Sequence, residues 1–142
     1  MNGYPWLPIA QKELGVKEVP GPGDNPRIVE YLKSTSLGSP DNKNDETPWC
    51  SAFVNWCVEQ ARFKGTNSAW ARSWLKWGRE QDIGDSWLGC ICVLERGLDF
   101  GHVGFLVAYD DDRVKLLGGN QGDAVTEAWF PMERVLAYRV PA

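Results

Sequence analysis

Apolar positions recur at helical spacing through the first half of the chain and alternate in the second half. Trp6, Ile9, Ala10 and Leu14 predict a short helix over Pro5 to Leu14, with Gly15 as its C-terminal stop. Val19-Pro20-Gly21-Pro22-Gly23-Asp24 is rich in structure breakers and reads as a loop. Asn25 as cap and Pro26 at the first helical position open a second helix, Pro26 to Lys33, with Ile28, Val29, Tyr31 and Leu32 mostly inward. The polar run from Ser34 to Glu46 is a surface loop, of a kind that often forms one wall of a site. The stretch from Trp49 is apolar on nearly every side: Phe53, Val54, Trp56, Cys57, Val58 and Ala61. A helix apolar all round is a buried helix. It ends near Phe63, with Gly65 beyond it. A further helix, Ala69 to Trp77, carries Trp70, Trp74 and Trp77 as one aromatic stripe. Core packing is the first reading of that stripe; the alternative is that Trp70 borders a cleft.

After Gly84-Asp85 the pattern becomes that of strands. Cys90 to Leu94, His102 to Tyr109, Val114 to Leu117, Ala124 to Phe130 and Val135 to Val140 are the segments, and Asp110-Asp111-Asp112 is the turn of a hairpin. The triple Asp lacks the spacing of a calcium loop. Helices first and strands second imply an α+β fold, with the helices packed on an antiparallel sheet of about five strands.

A length of 142 residues suits one domain with a real core. Eight tryptophans are more than such a domain buries completely, so a few are expected to line a groove. A net charge of −4 gives no support to nucleic-acid binding or to an anionic membrane surface. No stretch approaches a membrane span, and the N-terminus lacks the regions of a secretory signal. Synthesis in the cytoplasm is therefore expected. The four cysteines, at 50, 57, 90 and 92, include no C-x-x-C pair, and one histidine cannot complete a zinc set with them. Free thiols, no disulfide framework and no metal or organic cofactor are expected.

The chemistry gathers at two residues. Pro48 suits a first helical turn, Thr47 or Asp45 can cap it, and Cys50 then lies among unpaired amides that favour a thiolate. His102 is the only histidine and stands after Gly101 at the entrance of an apolar strand. A cysteine at a helix terminus facing such a histidine is the arrangement of a cysteine-nucleophile hydrolase, with the imidazole as base and then acid. The imidazole needs an orienting partner. With the hairpin turn at Asp110 to Asp112, Asn120 falls about opposite His102; Asn120 is the first choice and Gln121 the second. An oxyanion hole from the Cys50 backbone N–H and a group in Asn42 to Glu46 would complete the set.

Four segments in order resemble one family: Pro48-Trp49-Cys50-Ser51-Ala52-Phe53-Val54, Ala71-Arg72-Ser73-Trp74, Gly101-His102-Val103-Gly104-Phe105 and Gly118-Gly119-Asn120-Gln121. The chain is similar to the bacterial and phage CHAP proteins, the cysteine, histidine-dependent amidohydrolases/peptidases. The NlpC-type cell-wall peptidases are wider kin, and both have a papain-like core. The likeness includes Glu13-Leu14-Gly15-Val16 and Asn25-Pro26-Arg27-Ile28. It implies one CHAP-like domain over residues 1–142, with the family cysteine at Cys50, its histidine at His102 and its variable third residue at Asn120.

The resemblance also implies peptidoglycan as substrate, cut at the N-acetylmuramoyl-L-alanine amide or within the stem or cross-bridge peptide. Trp49, Trp70 and Gln121 are the candidate substrate contacts. The alternative is a catalytically silent wall-binding or phage structural module of the same fold. Without a signal peptide, the expected routes to the wall are release as a phage lysin or injection as an antibacterial toxin. The second route would bring a delivery machine and an immunity protein as partners.

Overall fold

Helix α3 (Cys50–Gln60) is buried without a break from Cys50 to Val58, and the rest of the molecule is arranged around it. In the computed structural model, residues 3–19, 25–35, 49–83, 87–97 and 100–142 are described. Two short helices, α1 (Trp6–Gln11) and α2 (Pro26–Leu32), precede α3, and a 3-10 helix (Ala71–Lys76) follows it. The strands are β1 (Arg79–Glu80), β2 (Ile91–Glu95), β3 (Gly101–Tyr109), β4 (Arg113–Gly118), β5 (Thr126–Pro131) and β6 (Val135–Val140). They form one antiparallel sheet in the order β1-β6-β2-β3-β4-β5. The fold is α+β, as expected, with six strands. The added strand is β1, whose two residues are too few to show any periodicity in sequence. Among the described residues no helix is long and apolar enough to cross a membrane.

The sheet is buried on both faces. Ile91, Val93, Val103, Phe105 and Leu117 join α1, α2 and α3 in the main core. Cys92, Leu94, Leu106, Val114 and Leu116 form a second cluster, with Tyr4, Trp87 and Tyr138 against it. Residues of β2 alternate between the two clusters, as side chains along a strand must. This is why β2 reads in sequence as an unbroken apolar run. Each large side chain removed from water contributes about 1.5–3 kcal/mol, so the two clusters together fix the ends of β3 and β4 firmly.

Local chemistry accounts for the helix starts. The Asn25 side chain caps α2 by accepting from the Arg27 N–H at 2.8 Å. The two N-terminal segments quoted above meet here. Glu13, nearly buried, accepts from the Tyr31 hydroxyl at 2.6 Å and pairs with the Arg27 guanidinium at 3.0 Å. Trp49 is the N-cap of α3 and makes no side-chain cap bond. The expected contributions of Asp45, Thr47 and Pro48, and the loop from residue 36, lie outside the described residues.

The tryptophan stripe needs correcting. Ala71–Lys76 winds as a 3-10 helix, in which residues three apart share a face. Trp74 and Trp77 therefore pack together, ring centroids 5.2 Å apart, while Trp70 stands outside at 55% exposure. The acidic run is a hairpin turn, as expected. Asp110 accepts from the backbone N–H groups of Asp112 (2.9 Å) and Arg113 (2.7 Å) and from the Arg113 guanidinium. Those bonds hold its carboxyl below the usual range.

Candidate active site

The first residue of α3 and the second of β3 meet where helix and sheet touch. Cys50 is 5% exposed and His102 4%. Their side chains are hydrogen-bonded to each other. Burial pushes the Cys50 thiol up, but the charge of His102, the bond from its imidazole and the backbone N–H groups of Val103 and Ser51 pull harder, and the net shift is down. The Ser51 amide is one of the first-turn N–H groups that a helix leaves without a partner. For His102, burial favours the neutral ring, while the Cys50 charge and the bonds to Cys50 and Gln121 overcome it; Arg96 opposes them, and the net shift is up. Opposite shifts on adjacent groups favour the charged form of each, thiolate on Cys50 and imidazolium on His102.

Gln121 decides which nitrogen does what. Its amide Nε2 donates to the carbonyls of Leu116 (3.1 Å) and Thr126 (2.8 Å). Carbonyls only accept, so the amide cannot be turned over, and Oε1 must face the imidazole. It lies 2.8 Å from His102 Nε2. The neutral ring therefore carries its proton on Nε2, and Nδ1 is left with a lone pair for the thiol.

The hydrogen-bond partner of His102 is accordingly Gln121, the second choice, and not Asn120, the first. The ladder register (Phe105 opposite Leu117) would bring residue 120 opposite His102 if it continued, but β4 ends at Gly118. Asn120 adopts a left-handed φ of 59°, and the turn it makes swings the next side chain back over the ring. Two glycines make room. A Cβ on Gly118 would lie 2.6 Å from Gln121 Oε1, the atom that holds His102. One on Gly119 would lie 2.6 Å from Cζ3 of Trp49 and 2.8 Å from Cβ of Phe53. Without it, the end of β4 seats directly on the first turn of α3.

Two expected substrate contacts move for the same reason. Trp49 is fully buried, stacked on Tyr31 with centroids 5.9 Å apart; it is packing, not a cleft wall. Gln121 is 7% exposed and its amide is taken up within the protein. Trp70 does border a cleft: with Cys50, Ala69, Ala71, Arg96, Phe100 and Gly101 it lines a hollow of about 330 Å³. On the other side of the pair a hollow of about 500 Å³ is lined by Arg96, His102, Asn120, Gln121, Thr126, Phe130 and Arg134, among others. A third hollow of about 540 Å³, between Asp111, Trp129 and Glu133, touches neither Cys50 nor His102.

Sequence reasoning missed Arg96, Phe100, Arg134 and a buried polar knot behind the cysteine. Asn55 accepts from the backbone N–H groups of Thr66 (2.7 Å) and Asn67 (3.0 Å) and donates to the Ser51 and Ser68 carbonyls, both at 3.1 Å. Ser51 Oγ donates to Ser68 O and accepts from Trp74 Nε1. This knot ties the 66–70 segment, and so Trp70, to the first turns of α3. The signal was there to read: an asparagine in the middle of an otherwise apolar helix must be satisfied by something nearby. Arg72 similarly braces the turn after β2, donating to the carbonyls of Gly97 (2.9 Å) and Phe100 (3.0 Å).

Comparison with known proteins gives a family and a fold. The CHAP domain family matches residues 42–120. No curated protein matches the chain. Among solved structures, an NLP/P60-family protein similar to lipoprotein, from Staphylococcus aureus subsp. aureus Mu50, superposes over 97% of this chain with a TM-score of 0.54 at 16% identity. At that identity the likeness is one of fold. This chain spans 41% of that protein's length. Since the family match takes in more than half of the 142 residues and the fold is shared with an NLP/P60 protein, the chain belongs to the CHAP family, a family of hydrolases that act on peptidoglycan as cell-wall amidases and peptidases.

Proposed function

We propose that residues 1–142 work as one domain that hydrolyses an amide bond of peptidoglycan, with Cys50 as nucleophile, His102 as base and then acid, and Gln121 as the residue that orients His102. The observation that carries this reading is the chain of contacts from thiol to imidazole to an amide oxygen 2.8 Å from Nε2. The thiolate attacks the amide carbonyl and forms a C–S bond. The resulting oxyanion is met by the Cys50 backbone N–H, a first-turn amide with no hydrogen-bond acceptor among the described residues. The imidazolium gives its Nδ1 proton to the amide nitrogen as the C–N bond breaks, which releases an amine and leaves a thioester. His102 then takes a proton from water, whose oxygen displaces the sulfur and frees the acid.

Trp70 and Phe100, both exposed beside Cys50, supply the apolar wall against which glycan or peptide lies. The test is digestion of purified peptidoglycan of known stem chemistry, with products read by mass spectrometry. New amine and carboxyl ends at a single amide are expected. Cys50→Ala and His102→Ala should each abolish release while the thermal transition stays in place. Undiminished release by either variant would remove the reading.

A further inference from the structure

The walls of the cleft have a charge that the molecule as a whole does not predict. The chain carries 19 acidic and 15 basic residues. Yet among the described residues neither hollow beside the Cys50–His102 pair is lined by a carboxylate, and Arg96 lines both. Arg134 joins it on the His102 side. Neither arginine has an ion-pair partner among the described residues. Arg134 is nevertheless held in place, its Nε donating to the Glu95 carbonyl at 3.0 Å and its guanidinium lying over the Phe130 ring at 5.5 Å. That spends one of five N–H donors. Arg96 is near enough for its charge to oppose protonation of His102. Two guanidinium groups with no counter-charge among the described residues, in a concave wall, suit a carboxylate, which each can grip through two parallel hydrogen bonds.

The chemistry of the pair gives that subsite a direction. The amine half of the substrate must receive its proton from His102, so it lies on the His102 side of the sulfur. The acyl half stays on Cys50, beside Trp70 and Phe100. We propose that Arg96 and Arg134 form a carboxylate subsite for the amine half of the substrate, so that the preferred scissile amide is one whose released amine carries a free carboxylate nearby. The direction rests on the enzyme reading above; the binding chemistry does not.

The test uses Cys50→Ala protein, which cannot cut, titrated with the stem tripeptide L-alanyl-γ-D-glutamyl-L-lysine and with the same peptide after conversion of both carboxylates to carboxamides. Binding is read by calorimetry and by the His102 ring signals in NMR. The carboxylate form should bind about ten-fold more tightly at low salt and shift the ring signals. Adding Arg96→Gln should remove most of the difference, and Arg134→Gln the rest. Arg96 makes no side-chain hydrogen bond among the described residues, so its variant keeps the test open if Arg134→Gln fails to fold. Equal binding of the two peptides, no binding of either, or a preference that survives Arg96→Gln would overturn the proposal. Digestion of whole wall by the wild type reports separately on the enzyme reading.

Discussion

Replacing Gln121 with leucine separates orientation of the base from the base itself. Leucine keeps the volume and removes the oxygen 2.8 Å from His102 Nε2. In a site where His102 is 4% exposed, water cannot readily take that place. The Nε2–H is left without an acceptor, a loss of about 1.5–3 kcal/mol for a hydrogen bond to a charged group. The loss falls on the imidazolium, the form that pairs with the thiolate. At 1.36 kcal/mol per tenfold, a loss of ~2 kcal/mol slows any step through that form by roughly thirty-fold. The carbonyls of Leu116 and Thr126 lose their donor as well, so some stability goes with it, and the assay must be run well below the unfolding transition. Two readouts suffice: the rate of Cys50 alkylation by iodoacetamide near neutral pH, and release of wall fragments. Both should fall together in Gln121→Leu. Asn120→Gly, which suits the left-handed φ of 59° at that position, should leave both within a few-fold of wild type. A folded Gln121→Leu protein with wild-type alkylation, or an Asn120→Gly protein as impaired as Gln121→Leu, would refute the reasoning.

Other outcomes follow from the same geometry. The Cys50 thiol sits below its ordinary range, so its labelling should rise with pH through that lowered value and level off while Cys57, Cys90 and Cys92 stay silent; burial pushes all three of those up, Cys90 to about 12. In His102→Ala the two largest of the influences that outweigh burial, the imidazole's charge and its hydrogen bond, are gone and only the backbone amides of Val103 and Ser51 remain, so Cys50 labelling should shift to more alkaline conditions, as mass spectrometry of each peptide would report. Gly119→Ala sets a methyl group 2.6 Å from the Trp49 ring and 2.8 Å from Phe53 Cβ, both fully buried. Overpacking of this kind costs about 1–3 kcal/mol and should lower Tm by several degrees in a calorimetric scan; an unchanged Tm would show that the end of β4 is free to move.

The sequence carried the architecture well because each large element obeys one period. The apolar run from Phe53 to Val58 announces a buried helix, and the alternation in 126–130 announces a strand with one exposed face. The pair Cys50 and His102 was legible for a different reason: only one histidine exists, so only one base could be assigned. Between the two candidates for the partner of His102, the order was wrong through a detail of backbone conformation. Strand register does point to position 120, but register says nothing of a left-handed turn just past the end of the ladder. Trp49 was misread because a tryptophan beside a cysteine looks like a cleft wall until Gly119 is seen to seat on it. The arginines left no mark at all, since isolated basic residues after β2 and before β6 have no pattern that separates a subsite from a solvated surface.

The anchoring of Gln121 ties the chemistry of the thiol to the pairing of the edge strand. Its two carbonyl partners belong to different strands, Leu116 in β4 and Thr126 at the start of β5, which forms the edge of the sheet. If β5 opened while Cys50 kept its place at the head of α3, the Thr126 carbonyl would no longer anchor the Gln121 amide. In that state the imidazole tautomer is fixed less firmly, and the sulfur has a less committed base. Opening of the edge strand should therefore lower thiol reactivity, as loss of the Gln121 oxygen does. Amide protection in β5 and thiol reactivity at Cys50, far apart in sequence, should consequently appear on one and the same clock during refolding.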